Sequence, residues 1–335
     1  MPDPDATQRI APPSGYYLQL YRGAIRGRDA QAKRDVLARY CDKIASMRLP
    51  GVVFHGFPEE MVAAWDGLAR LAQNRGLLAL ASWGLDSKGI PAARKGDLVG
   101  QVLAKPSCAA GLLDAEGQWD SDTGPADDMD EAGAFALCKA IQRVAPGAVV
   151  GDQCWYKITS HGDVRRTAKP IDKGGTFAGF PVDEFAAVCT WGRFRQAYIY
   201  NDHGLFYRPT FAAMDASWAE VTPSLRAAGL ERPLRVTLQG YRWKAHEFVD
   251  ALLSRGACVG DPVVVWCDPM IEAPEERCLR FVLWCIREGF ATVGSAATTV
   301  VRMAQESLNR TGARLTVDGW AGEKTLAAWE TFAGE

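Results

Sequence analysis

Eight short apolar runs, spaced by helical patterns, leave this chain few folds to choose from. The runs are GYYLQLYRG, PGVVFHGF, GLLALASWGLD, CAAGLLDAEGQW, GAVVGDQCWYK, RQAYIYND, LRVTLQGYRW and DPVVVWCDPM. Between them stand helical segments such as AQAKRDVLARYCDKIASM, PEEMVAAWDGLARLAQNRG and DEAGAFALCKAIQRVAPG. The last of these begins in acids and stops at Pro-Gly, which are helix start and stop signals. Further helices are predicted over Val182–Thr190, Ser217–Ala228, Lys244–Arg255 and Pro274–Glu288. Strands separated by helices of this length form parallel βαβ units rather than hairpins.

About eight such repeats fill residues 15–294, and that count and size predict an α/β fold of the (β/α)8, or TIM, barrel type. A doubly wound open sheet would want a glycine-rich phosphate loop after the first strand, and YRGAIRGRDA does not supply one. Residues 1–14 read as a Pro-rich flexible leader, and residues 295–335 as a separate small helical unit.

Parallel barrels build their sites where the strands end. At the fourth run, Asp114 and Glu116 stand two residues apart. In a strand they share one face about 7 Å apart, so repulsion leaves at least one of them inclined to hold a proton. That is the condition for general-acid chemistry. The other strand ends add Gln19 with Tyr21, His55, Trp83 with Asp86, Asp152 with Gln153 and Trp155, Tyr200 with Asp202, Gln239 with Tyr241 and Trp243, and Trp266 with Asp268. Acids, amides and aromatic rings, without clustered glycine and basic residues, suit a neutral polyhydroxylated ligand, a carbohydrate.

Several classes are set aside. A net charge of -2 opposes a nucleic-acid binder driven by phosphate contacts. No apolar run approaches the roughly 18–20 residues of a membrane span. MPDPDATQRIAPPSG lacks the basic and apolar regions of a secretory signal, so synthesis in the cytoplasm is expected. Nine cysteines without C-x-x-C spacing read as reduced core residues, and His55, His161, His203 and His246 show no zinc-ligand spacing. Neither a metal nor a cofactor is expected.

The tail TTVVRMAQESLNRTGARLTVDGWAGEKTLAAWETFAGE resembles the peptidoglycan-binding type 1 domain. Val301, Arg302, Gln305, Leu308, Asn309, Gly312, Val317, Asp318, Gly319, Gly322, Thr325, Ala328 and Phe332 carry the likeness. Ala304 stands where the family usually has Leu. With that tail in view, the Asp114-Ala115-Glu116 strand end resembles those of two groups of glycoside hydrolase barrels: family 25 muramidases and family 18 chitinase-like enzymes. YIYND, with Tyr200 and Asp202, and Trp266 lean toward family 18. Asp202 is compatible with family 25 as well, whose first-strand Asp is replaced here by Gln19.

The resemblance implies Glu116 as general acid, with Asp114 and Asp202 as its catalytic companions. It implies glycan contacts from Tyr200, Gln239, Tyr241, Trp119, Trp155, Trp266, Asp152 and Gln19. The expected function is a peptidoglycan-directed hydrolase, such as an endolysin, that reaches the cell wall after release. The expected partner is peptidoglycan or a related N-acetylated glycan. The alternative is a non-catalytic wall- or glycan-binding protein, such as a virion or injection-machine component, on the same scaffold. The segment KITSHGDVRRTAKPIDKGGTFAG reads as a loop beside the cleft, with Arg165, Arg166 and Lys169 available to anionic polymers.

Overall fold

The computed structural model describes residues 14–20, 27–85, 89–114, 131–146, 148, 150–155, 176–177, 180–181, 194–197, 235–240, 244–260, 262–267 and 271–333. The strands are β1 (Gly15–Leu20), β2 (Gly51–Gly56), β3 (Leu78–Gly84), β4 (Gly111–Asp114), β5 (Val150–Trp155), β8 (Phe194–Ala197), β9 (Arg235–Gln239) and β10 (Pro262–Cys267). They follow one another around a closed barrel in chain order, every neighbouring pair parallel, and β10 hydrogen-bonds back to β1. Seven of them lie within the predicted apolar runs, and β8 starts one residue ahead of its run, at Phe194, and ends at Ala197. A two-residue antiparallel pair, β6 (Thr176–Phe177) with β7 (Phe180–Pro181), stands apart within and just beyond the segment read as a cleft loop.

Strands such as GVVFHG and PVVVWC are apolar on both faces because the barrel buries both. Tyr17, Val53, Leu80, Ala110, Leu112 and Val264 fill the interior. The alternate residues, among them Leu18, Val52, Phe54, Ala81, Leu113 and Val265, face outward into a larger cluster shared with the helices. The interior is therefore a packed core and not a pore.

Six helices follow described strands: α1 (Ala30–Ser46), α2 (Pro58–Gln73), α3 (Ala92–Leu103), α4 (Glu131–Val144), α5 (Ala245–Leu252) and α6 (Ala273–Arg287). Their starts are written locally. Asp29 Oδ1 accepts from Ala32 N at 2.7 Å to cap α1, and Glu60 accepts from Phe57 N at 3.2 Å at the start of α2. The helices predicted over Val182–Thr190 and Ser217–Ala228 lie outside the described residues.

α3 is a helix that the periodicity did not single out. Gly96 and Gly100 lower its helix propensity, yet a Cβ on Gly96 would overlap the Leu137 carbonyl oxygen and sit 2.7 Å from Ala140 Cβ. One on Gly100 would sit 2.7 Å from Val144 Cβ. The two glycines let α3 lie almost backbone to backbone against α4.

α5 ends in a widened, π-type turn, Leu253–Ala257. The Tyr16 hydroxyl at the start of β1 fills the turn: it donates to Leu252 O at 2.5 Å and accepts from Ala257 N at 3.1 Å. The hydroxyl thus bridges the two ends of an i to i+5 pair, Leu252 and Ala257.

Beyond Gly294 come α7 (Ala297–Arg310) and α8 (Glu323–Phe332). Gln305, only 1% exposed, organises the turn between them. Its Nε2 donates to Asp318 Oδ1 at 2.8 Å, Trp320 O at 3.1 Å and Thr325 Oγ1 at 3.1 Å. Its Oε1 accepts from Asp318 N at 3.1 Å and Gly319 N at 2.9 Å. Gly319 has a φ of 84°, the left-handed conformation this turn requires. Asn309 ties the same segment through Leu315, donating to its O at 2.9 Å and accepting from its N at 2.7 Å.

This tail packs into the barrel's own outer core. Val300, Val301, Ala304, Leu308, Leu326 and Trp329 belong to the cluster that holds Phe248 and Phe281. Arg277 of α6 clamps Glu330 at 2.8 Å and reaches Glu323 at 2.6 Å. Cys41, Cys108, Cys258, Cys267, Cys278 and Cys285 are buried thiols, and burial pushes Cys41, Cys267 and Cys278 up to about 12.

Candidate active site

The C-terminal ends of the strands meet at one mouth of the barrel, above the apolar interior layer. β1 continues past Tyr17 to Gln19, β2 past Val53 to His55, and β3 past Leu80 to Ser82, each two residues on and so on the same face. Gln19 is 1% exposed and its Nε2 reaches Ser82 Oγ at 3.4 Å, spanning β2 between them. His55 pairs with Ser82 in register and is likewise buried. The floor of the mouth is therefore polar and buried.

Register brings several predicted residues together. Gln239, Trp266 and Gln19 stand in one row across β9, β10 and β1, with Trp266 half-buried. On the other side, Asp114 closes β4, paired with Gly84 of β3 and Gln153 of β5. Trp155 follows two residues on and pairs with Gln196 of β8. Asp152 pairs instead with Leu113, whose side chain lies in the outer core, so Gln153 is the residue across from Asp114. Glu116, Trp119, Tyr200, Asp202 and Tyr241 lie outside the described residues, as do Tyr21, Asp86, Trp243 and Asp268.

Trp83 corrects one reading. The sequence places it among the strand-end residues, but its position alternates with Ser82 and it is fully buried in the outer core, its ring packed over Gly111. The strand's parity, counted from Leu80, carries that signal. Lys95 and Ser82 were missed. Lys95 lies in the first turn of α3, 1% exposed, and its Nζ donates to Leu85 O at 2.5 Å just beyond the end of β3. A lysine in AARKGDLV reads as a solvated helix residue; only the fold places its ammonium under the rim. Among the described residues, no group of three or more His, Cys, Asp or Glu forms a metal-ligand set. No described helix is long and apolar enough to cross a membrane.

No protein-family model matches the sequence, and no curated protein matches it. Solved structures match by shape. The GH5_18 glycoside hydrolase of Streptomyces cattleya in complex with GlcNAc gives a TM-score of 0.55 at 13% identity, over 85% of this chain and 83% of that one. A glutamate-to-alanine variant of GH5_18 from the same organism, in complex with Manb1-4GlcNAc, gives 0.55 at 15% identity, over 82% and 81%. The corresponding variant from Bifidobacterium longum subsp. longum, with the same disaccharide, gives 0.53 at 14% identity, over 83% and 80%. At these identities the likeness is one of fold: a parallel α/β barrel shared with glycoside hydrolases.

Proposed function

We propose that this chain is a glycoside hydrolase that cleaves an N-acetylated glycan at the C-terminal mouth of the barrel, with Glu116 as the general acid. The observation that carries the reading is the placement of Asp114. It ends β4 beside Gln153, at the same mouth as the row Gln239, Trp266 and Gln19. The GlcNAc-containing ligands of the GH5_18 barrels support an N-acetylated substrate.

In this reading Glu116 protonates the glycosidic oxygen, and the leaving sugar departs as an alcohol. Asp114 raises the affinity of Glu116 for its proton and steadies the positive charge that develops on the sugar. The substrate's own acetamido oxygen attacks the anomeric carbon, oriented by Asp202, Tyr200 and Gln239, and water then opens the cyclic intermediate. Trp119, Trp155, Trp266 and Tyr241 offer faces to sugar rings, while Gln19 meets a hydroxyl group; Asp152, in register with outward-facing Leu113, falls outside this set.

The finer reading is peptidoglycan, reached at the cell wall after release from the cytoplasm. Its support is the type 1 peptidoglycan-binding likeness of residues 295–335. Gln305, Asn309, Asp318, Gly319 and Thr325 of that likeness form one hydrogen-bonded turn or its anchors. The barrel is taken as a complete (β/α)8 unit over residues 15–294, with family 25 and family 18 lysozyme- and chitinase-like enzymes as its models.

A second reading, a non-catalytic glycan binder, is favoured by one feature. On the described register rows of the mouth Asp114 is the single carboxylate, and amides occupy the positions of Gln19, Gln153, Gln196 and Gln239. Release of reducing ends from purified peptidoglycan separates the two. Glu116→Gln is expected to lower the rate by about a hundredfold or more while the protein still sediments with cell walls. An intact chain that sediments with walls but releases nothing is a binder.

A further inference from the structure

Trp320 is the second most exposed large apolar residue among those described, 58% open, yet it is firmly held. Its N donates to Asp318 Oδ1 at 2.8 Å, and its O accepts from Gln305 Nε2 and Thr325 Oγ1, both at 3.1 Å. Its ring lies on His246, with centroids 4.5 Å apart and planes inclined by 36°. His246 belongs to the first turn of α5, only a few residues beyond the end of β9 at Gln239. The other end of α5 touches Tyr16 at the start of β1, so α5 runs from the mouth of the barrel down to its opposite face. Trp320 therefore stands at the rim of the mouth, on the side of the row Gln239, Trp266 and Gln19, although it comes from the C-terminal helical unit.

We propose that Trp320, backed by His246, is a sugar-stacking platform that extends the mouth of the barrel along the C-terminal unit. The inference rests on the glycan-hydrolase reading above. The occupant is a ring of the same glycan chain, distal to the bond in the mouth. The chemistry selects a sugar over a protein partner. A sugar ring offers one apolar face of C–H groups edged with hydroxyls. Trp320 offers one flat aromatic face with the exposed polar groups Asp318, Arg302 and Lys244 in the surrounding segments. A protein interface needs a contiguous apolar core within some 800 Å² per partner, and only Val317, 38% exposed, neighbours Trp320 in this turn. The hydrogen bonds and the His246 ring fix the platform before any ligand arrives, which lowers the ordering cost of binding.

The test compares a dimer and a hexamer of β-1,4-linked N-acetylglucosamine by titration calorimetry, using the full chain. Trp320→Ala is expected to weaken hexamer binding about tenfold and to leave dimer binding unchanged. Trp320→Phe should keep most of the hexamer affinity. Thermal melting of Trp320→Ala alongside the intact chain checks that the variant folds; if it does not, His246→Ala, which removes the backing ring, carries the comparison. Equal hexamer affinity in the intact chain and the folded variant overturns the platform while leaving the glycan reading in place. An intact chain that binds neither oligomer overturns both.

Discussion

Two walls of this barrel solve the same packing problem in opposite ways. Where α3 meets α4, the contact is made of almost nothing: Gly96 and Gly100 bring the helices together over Leu137, Ala140 and Val144. That pair then ends at the solvent, trimmed by an ion pair between Arg143 and Asp97 at 2.5 Å. The α5–α6 wall is built from large rings instead. Phe281 meets Trp284 at 5.7 Å and Trp329 edge-on at 5.8 Å, and Trp284 meets Phe290 edge-on at 5.4 Å. Rings of that size cannot be covered by two helices alone, and α7 and α8 complete their burial. A wall of small residues finishes itself, whereas a wall of large ones needs another layer. The C-terminal unit is thus energetically part of the barrel, whatever it binds.

The largest expected effect tests that last point. Trp329→Ala should cost about 3–5 kcal/mol, read by chemical denaturation, with unfolding still a single transition because the tail and barrel share one core. A separate early transition for the tail would break the comparison. Next, Gly96→Ala should destabilise by about 1–3 kcal/mol through overpacking. In an ordinary exposed helix the same change would stabilise by about 1 kcal/mol. A raised melting temperature would mean that the close approach of α3 and α4 is not needed.

The smallest effect concerns the turn under the second wall. Hydrogen bonds from Gln305 and Trp320 hold the Asp318 carboxyl below the usual carboxylate range. A depressed folded value means that its contribution is complete above the unfolded value of about 3.9 and is lost as pH falls through the folded one. The melting temperature should therefore show a small extra drop on acidification below about pH 4. Asp318→Asn should remove that extra drop, and an unchanged acid profile would show that the turn does not feel the charge.

Much of the barrel was legible because its strands carry apolar residues on both faces, a pattern that needs no knowledge of neighbours. α3 was not, because the property that makes it fit, two glycines facing α4, is the property that weakens its helical signal. Trp83 was misread for a subtler reason: strand parity decides inside from outside, and one residue's offset moves a ring from the mouth to the outer core. At the candidate site, the residue types were readable but their company was not. Gln19, Trp266 and Gln239 become neighbours only through the closure of β10 on β1 and β9, between segments more than two hundred residues apart for the first pair. Lys95 and Ser82 gain their meaning from burial, which the sequence around them does not signal.

The Tyr16 hydroxyl in the widened turn of α5 has a consequence for how the chain comes off the ribosome. It joins positions 236 residues apart, and the strand that carries it finds its second neighbour only when β10, ending at Cys267, has emerged. For most of synthesis, then, β1 presents one open edge, the kind of surface that recruits other strands and invites aggregation. The latch and the seam are made together: β1, made before the other described strands, is among the last of them to be fully paired. A nascent chain stalled with β10 still inside the ribosome should depend on chaperones in a way that one stalled after β10 has emerged does not.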